Sequence, residues 1–499
     1  MPQPNVLFII TDQQRYDDMS CHGGRPQTPH LDSLAARSCD LARYYTQSPV
    51  CVPSRCNLFT GRYPHSHRVR QNHARLARHE VHLFKALRRT GYALAYVGKN
   101  HLLDESEFDH FDHVDLRKHR NRHGERAAFQ ALIDQQNRRL HTHGAWASAI
   151  FHDFPPEETH PYLSRQSAIQ FLRERPADRP FCLAVSFEDP HAPHLALRQY
   201  EQLYPLNPNL AHSIELPDVP EDALEGKAPR WAIKKRMERV ADATDEDKRR
   251  YLAARYAMIT WVDENIGAIL ETLDATGERD NTIVVFTSDH GDFAWEYGMA
   301  KKDVVLQDCL LHVPFLVSFP GYVLPSIVDH TIVEEVDVLP TLLELCGIDV
   351  PYGCQGRSFA PLLNGENLAH KDAAYAEVER PEARLGFESV ASYVGAYERG
   401  RDDPNESRFK GLSINVPGDF CKSVRTERYR YVWYAAGHEE LYDLQADPHA
   451  WRNLAQKADV AEIKAALKDQ LFTWLAISED PMDTVAEERH RRFYGDWQG

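Results

Sequence analysis

Cys51 opens the string Cys51-Val52-Pro53-Ser54-Arg55, which runs on as Cys56-Asn57-Leu58-Phe59-Thr60-Gly61-Arg62. Thr11-Asp12-Gln13-Gln14 closes the first apolar run of the chain, and Ser288-Asp289-His290-Gly291-Asp292 closes a later one. An Asp at a strand's C-terminal end often caps a helix, yet open α/β sheets bind their ligands at that same edge. Two carboxylates and an imidazole nitrogen suit one hard or borderline divalent ion, Ca²⁺, Mg²⁺ or Mn²⁺, and the imidazole favours Mn²⁺ more than an all-oxygen site would. Gly98-Lys99-Asn100-His101, Asp189-Pro190-His191-Ala192-Pro193 and Gly298-Met299-Ala300-Lys301-Lys302 add cations and imidazoles.

The string from Cys51 to Arg62 resembles the signature of type I sulfatases, Cys-x-Pro-Ser-Arg followed by a Thr-Gly-Arg helix. In that family a formylglycine-generating enzyme oxidises the cysteine to formylglycine (3-oxoalanine). The resemblance implies that Cys51 becomes an aldehyde whose hydrate carries two hydroxyls on one carbon. One attacks sulfur to give a covalent sulfated adduct; loss of the other's proton re-forms the aldehyde and expels sulfate by C–O cleavage.

The other segments follow in the family's order along nearly the whole chain. Asp12 matches the first metal ligand, and Gln13 stands where sulfatases usually carry a second acid, so it is expected as a neutral ligand or a donor to the ligands. Asp289 and His290 match the second half-site, with His in place of the commoner Asn, and residue 51 completes the set. Ca²⁺ is the family's usual ion. Lys99 and His101 match a Gly-Lys-x-His segment, and His191 a Pro-His-x-Pro segment. Distance from Gly298 favours Lys302 as the last lysine, with Lys301 the alternative at the substrate. By resemblance, the metal and Arg55 position and acidify the hydrate, and Asp289 takes its proton. Lys99 and Lys302 hold sulfate oxygens, His191 protonates the leaving alcohol, and His101 deprotonates the second hydroxyl. These charges leave about +3 in the pocket. Asn72 stands where related phosphonate monoester hydrolases also carry an asparagine, and is expected to touch substrate.

Apolar runs at Val6–Ile10, Ala93–Val97, Phe181–Phe187, Thr282–Ser288 and Phe315–Phe319 read as strands separated by helical segments. Leu252 to Leu273 repeats at three- and four-residue steps and stops before Gly277; a second helix is expected near Val338–Cys346. Phe420–Arg425, Tyr429–Tyr434 and Glu440–Asp443 read as short antiparallel strands, with a helical tail from Val460. The expected architecture is an α/β, alkaline-phosphatase-like sandwich around a mostly parallel sheet. A catalytic domain over 1–380 and a smaller α+β subdomain over 381–499 are expected. Residues 205–250, dense in both charges, read as a solvated insertion. The histidines between 101 and 123, His101 apart, match no compact metal motif and read as surface groups.

Hydrophobic residues make up 42% and charged residues 26% of the 499, which is ordinary for a globular protein. The net charge of -16 repels nucleic acid, so an anionic substrate needs a local cluster of cations. The N-terminus has no basic region before its apolar run, no stretch reaches membrane-span length, and nine scattered cysteines suit a reducing cytoplasm. The expected function is hydrolysis of aryl or other small-molecule sulfate monoesters. The partners implied are the ester and the maturation enzyme, with no nucleic acid or membrane and with homo-oligomerisation left open. A phosphonate monoester hydrolase or phosphodiesterase is the nearest alternative, though those enzymes have a longer stretch before the arginine and lack Gly-Lys-x-His. A non-catalytic anion-binding protein is the remote one.

Overall fold

In the computed structural model, which describes residues 3–72, 74–117, 127–210, 212–302, 305–378 and 420–479, eight strands form one sheet. They are β1 (Asn5–Thr11), β2 (Cys39–Leu41), β3 (Ala93–Lys99), β4 (His113–Arg117), β5 (Phe181–Ser186), β6 (Thr282–Ser288), β7 (Phe315–Ser318) and β8 (Ser326–Val328). Their order across the sheet is β8-β2-β7-β6-β1-β5-β3-β4. Every pairing from β6 to β4 is parallel, and β7 runs antiparallel to both of its neighbours. All five strands expected from the apolar runs are present.

Six helices matter for the site: α1 (Cys51–Thr60), α2 (His160–Glu174), α3 (Pro229–Met237), α4 (Asp245–Ala275), α5 (Val338–Leu345) and α6 (Ala461–Ile477). Val6, Phe8 and Ile10 of β1 pack on one side with Phe59 of α1 and Leu342 of α5. Leu7 and Ile9 pack on the other with Phe171 of α2 and Ile266 of α4. A strand buried on both faces must be apolar at every position, which is why β1 reads as an unbroken run.

The long helix starts earlier than its apolar repeat. Thr244 Oγ1 accepts from the Asp247 N–H at 3.2 Å, and the Asp247 carboxylate accepts from the Thr244 N–H at 3.0 Å. This reciprocal cap, with Asp245, Glu246 and Asp247 in the first turn, turns a charged run into a helix N-terminus.

The expectation of a solvated insertion is corrected further by α3. Arg230, Trp231 and Lys234 are buried, as is Glu238 just past the helix end. Lys234 and Glu238 lie one turn apart and pair at 2.6 Å, which offsets the cost of taking either charge from water. Trp231 packs against Tyr297 and donates its indole N–H to Glu440 at 3.0 Å.

A second sheet runs β9 (Ala373–Val378), β10 (Cys421–Thr426), β11 (Tyr429–Tyr434) and β12 (Glu439–Asp443), all antiparallel in chain order. Leu467, Leu471 and Trp474 of α6 cover one face. The other rests on Trp231, Tyr297 and Leu310. The boundary expected at 380 lies outside the described residues, as do His119 and His123, and β9 precedes that boundary. Among the described residues, no helix is long and apolar enough to cross a membrane. None of the nine cysteines is in a disulfide.

Candidate active site

Neighbouring strands β6, β1, β5 and β3 end at one edge of the sheet. Asp289 and His290 follow β6, Asp12 follows β1, Glu188 and His191 follow β5, and Lys99 is the last residue of β3. Gly98 lets β3 reach that point: its φ is 97°, and a Cβ there would lie 2.0 Å from the Ser186 carbonyl oxygen. Opposite this edge stands the N-terminus of α1, with Cys51 as its first residue. Val50 offers no side-chain cap, and the Val52 N–H donates instead to Asn72 Oδ1 at 3.1 Å.

The side chains meet in a buried cluster. Arg55 is wholly enclosed and donates to Asp289 Oδ2 at 2.9 Å, Asp12 Oδ2 at 3.2 Å and Ser186 Oγ at 2.7 Å. Lys99 Nζ lies 2.9 Å from Asp12 Oδ2. Cys51 Sγ is 3.3 Å from His290 Nε2, 3.8 Å from Asp12 Oδ1 and 2.7 Å from Lys302 Nζ. His101 and His191 both lie near enough to Cys51 for it to raise the pKa of each ring. Lys301 turns away, its ammonium 3.5 Å from Glu238, so of the two adjacent lysines the structure puts Lys302 at residue 51.

Charge sets the protonation states. Burial and Asp12 oppose ionisation of Cys51, but Lys302, Lys99 and His290 outweigh them and hold the thiol well below its ordinary range. Burial, with Lys99 and Lys302, drives His191 down to about 3. Its Nδ1 lies 2.7 Å from the Ala192 carbonyl, which fixes the proton there in the neutral ring. Burial and Lys99 lower His101 as well, and its buried Nδ1 has no hydrogen-bond partner.

Asp12, Cys51, Asp289 and His290 each offer a ligand atom within 4.8 Å of the others. Gln13 donates its amide nitrogen to Asp292 and its backbone N–H to Asp289 Oδ1 at 3.1 Å. That leaves its amide oxygen buried without a hydrogen-bond partner. Two carboxylates, an imidazole nitrogen and a sulfur converging in this way form a donor set that fits one divalent ion.

Two features escaped the sequence. Glu188 is 3.5 Å from Lys99 and lowers the expected charge balance by one. Its position three residues before His191 was the available signal, but a carboxylate was not expected beside a sulfate. Asp292, last in the Ser288–Asp292 string, links Gln13 to the Tyr251 hydroxyl, 3.1 Å away. A cavity of about 650 Å³ opens from Lys99, His101 and Glu188 past Asn72 and Arg75. A smaller one of about 50 Å³ lies between His191 and Phe129, Met258 and Trp261.

A mostly parallel sheet whose C-terminal edge faces a helix-borne cysteine and a buried cluster of metal-ligating side chains is the arrangement of the alkaline-phosphatase-like class of hydrolases. The Sulfatase family model matches residues 4–348, and the chain belongs to that family of sulfuric ester hydrolases. It is 29% identical to the choline-sulfatase of Rhizobium meliloti (strain 1021) over 477 residues, 91% of this chain and 83% of the relative. An ulvan-active sulfatase of Formosa agariphila is 27% identical over 501 residues, covering 95% and 81%. A phosphonate monoester hydrolase from Silicibacter pomeroyi shares the fold, with a TM-score of 0.77 at 21% identity and 96% of each chain covered.

Proposed function

We propose that the protein hydrolyses small-molecule sulfate monoesters, aryl sulfates among them, with residue 51 as formylglycine and one divalent ion at Asp12, Asp289, His290 and residue 51. The observation that carries this reading is the placing of Cys51, 1% exposed, at a helix N-terminus with Arg55, Lys99 and Lys302 in one buried cluster. The aldehyde hydrate supplies a nucleophilic hydroxyl and, through its second hydroxyl, an exit for sulfate. The ion supplies Lewis acidity and positive charge, with Ca²⁺ the expected species and Mn²⁺ or Mg²⁺ open.

The protein's own residues do the rest. Arg55, gripped by two carboxylates, is fixed beside residue 51 and cannot swing toward solvent. Lys99 and Lys302 bind sulfate oxygens, and the positive end of α1 adds to their field. Asp289 accepts the proton of the attacking hydroxyl. His101, held neutral by burial and Lys99, accepts the proton of the second hydroxyl. His191 must gain a proton before it can give one to the leaving oxygen, and the negative charge of a bound sulfate ester favours that gain. The apolar side chains of Phe129, Met258 and Trp261 beside His191 support an aryl or alkyl leaving group. Gln13 offers its amide oxygen to the ion, and Asn72 offers its amide nitrogen toward the larger cavity. Nine cysteines with no disulfide among them support a reducing, cytoplasmic setting, with a formylglycine-generating enzyme as the maturation partner.

The test is a panel of aryl, choline and sugar sulfates, phosphonate monoesters and phosphodiesters, given to metal-loaded protein made with the maturation enzyme. Sulfate esters should turn over fastest, and peptide mass spectrometry should show sulfur replaced by oxygen at residue 51 with loss of two hydrogens. Faster turnover of phosphonate monoesters would replace this reading with the alternative.

A further inference from the structure

Lys302 reaches Cys51 from a loop, and it and its neighbour Lys301 are held by Tyr251, Lys234 and Glu238. Lys301, in the left-handed region at φ 59°, adopts a conformation that residues with side chains rarely take. Its N–H donates to the Tyr251 hydroxyl at 3.0 Å. Its ammonium lies 3.5 Å from Glu238. The carbonyl of Lys302 accepts from Lys234 Nζ at 3.1 Å, and the same ammonium donates to Glu238 Oε1 at 2.6 Å. Lys234 is 1% exposed and Glu238 is fully buried.

Replacing a buried ion pair with well-packed apolar residues is often neutral or stabilising, so general stability does not explain Lys234 and Glu238. What the pair does locally is specific. One ammonium ties the turn after α3 to the carbonyl of the residue that points at the nucleophile, and one carboxylate draws the neighbouring lysine the other way. Without that division Lys301 and Lys302 would compete for the same place beside Cys51.

We propose that Lys234 and Glu238 are positioning residues: a clamp, contributed by the charged insertion, that sets the Lys302 ammonium at residue 51. This inference rests on the site reading above and adds to it a cause for the position of Lys302. A misplacement of about 1 Å costs on the order of 10²-fold in rate, so Lys234→Met, which keeps the length and removes the ammonium that bonds Glu238 and the Lys302 carbonyl, should lower kcat/KM by about that factor. Glu238→Gln keeps the volume and should lose less.

The deciding measurement is a double-mutant cycle with Lys302→Ala, read as kcat/KM and as the Kd of inorganic sulfate. With Lys302 gone, Lys234→Met should change either quantity by less than about 2-fold. Losses that multiply in the double variant would overturn the clamp, as would a Lys234→Met enzyme that equals the parent in both readouts. If Lys234→Met does not fold, as judged by thermal melting, the same cycle with Glu238→Gln decides. Lys235→Ala, exposed on the same helix, serves as the unchanged control. Should the parent cleave phosphonate monoesters in place of sulfates, the cycle is run with that ester and inorganic phosphate. Failure of the sulfatase reading thereby stays separate from failure of the clamp.

Discussion

The two halves of the site are built differently. Asp12, Lys99 and Asp289 stand at or just past the ends of parallel strands, and Arg55 stands on a buried helix. Their places follow from ladders that run in register from β6 through β1 and β5 to β3. Lys302 has no ladder. It sits on a loop held by Tyr251, Lys234 and Glu238, three groups that lie on α4 or around α3. Regular elements place a side chain through repeated backbone bonds; a loop needs dedicated side-chain contacts for the same accuracy.

This contrast can be pushed at either half, and the largest effect belongs to the nucleophile. Cys51→Ala should lower turnover on the order of 10⁴-fold or more while thermal melting stays close to the parent's. Comparable activity in that variant would end the proposed mechanism. Asp289→Asn comes next, because it removes a charge from both the ion site and the Arg55 grip. Metal content by elemental analysis and activity should fall together; full activity in metal-free protein would exclude the ion site.

The two histidines give a smaller and more selective effect, about 10²-fold or more for each proton transfer. His101→Ala should release at most one equivalent of alcohol per site from a chromogenic aryl sulfate and then stop. His191→Ala should slow the first release, most of all for poor leaving groups. Identical leaving-group dependence in both, with no burst, would dissolve the division between them. The clamp variants fall in the same range and separate the loop half from the strand half.

How much of this was legible depended on the half. Strand ends announce themselves, because a run such as Val6–Ile10 is apolar and the first charged residue after it, Asp12, falls where the sheet stops. The Cys51–Arg62 string and the Ser288–Asp292 string therefore located most of the pocket. The clamp stayed hidden because Lys234 and Glu238 carry opposite charges in a densely charged stretch, a texture that usually marks solvated surface. Pairing across one helical turn allowed them to be buried, and no local pattern says that Trp231 beside them packs under a second sheet. Glu188 was unreadable in another way, because its role comes from Lys99, far along the chain; Asn72 was named from the resemblance, but its bond to the Val52 N–H was not.

The smallest effect comes from a pair away from the pocket and serves as a control on stability alone. His22 Nε2 lies 2.6 Å from Asp40. Burial pulls the imidazole down, but hydrogen bonding to Asp40 lifts it to about 10, against about 6.5 in an unfolded chain. The stabilisation is complete below pH 6.5 and is lost as pH rises toward 10, with a slope of at most about 1.4 kcal/mol per pH unit. Urea unfolding at pH 6 and pH 9.5 should show the decline, and Asp40→Asn should flatten it without changing the leaving-group dependence of turnover.

A cysteine 1% exposed at the first turn of a helix whose every residue is buried cannot be reached by a second enzyme once the sheet has closed over it. Under the proposed chemistry, folding is then a deadline for maturation. A chain oxidised at Cys51 before α1 docks becomes an enzyme, and one that folds first is locked as a thiol. The active fraction becomes a ratio of two rates, set in the moments after synthesis. β1 cannot find β6 until more than half the chain has been made, and non-local pairing of that kind is slow. The topology that builds the pocket also holds open the interval in which its nucleophile can be made.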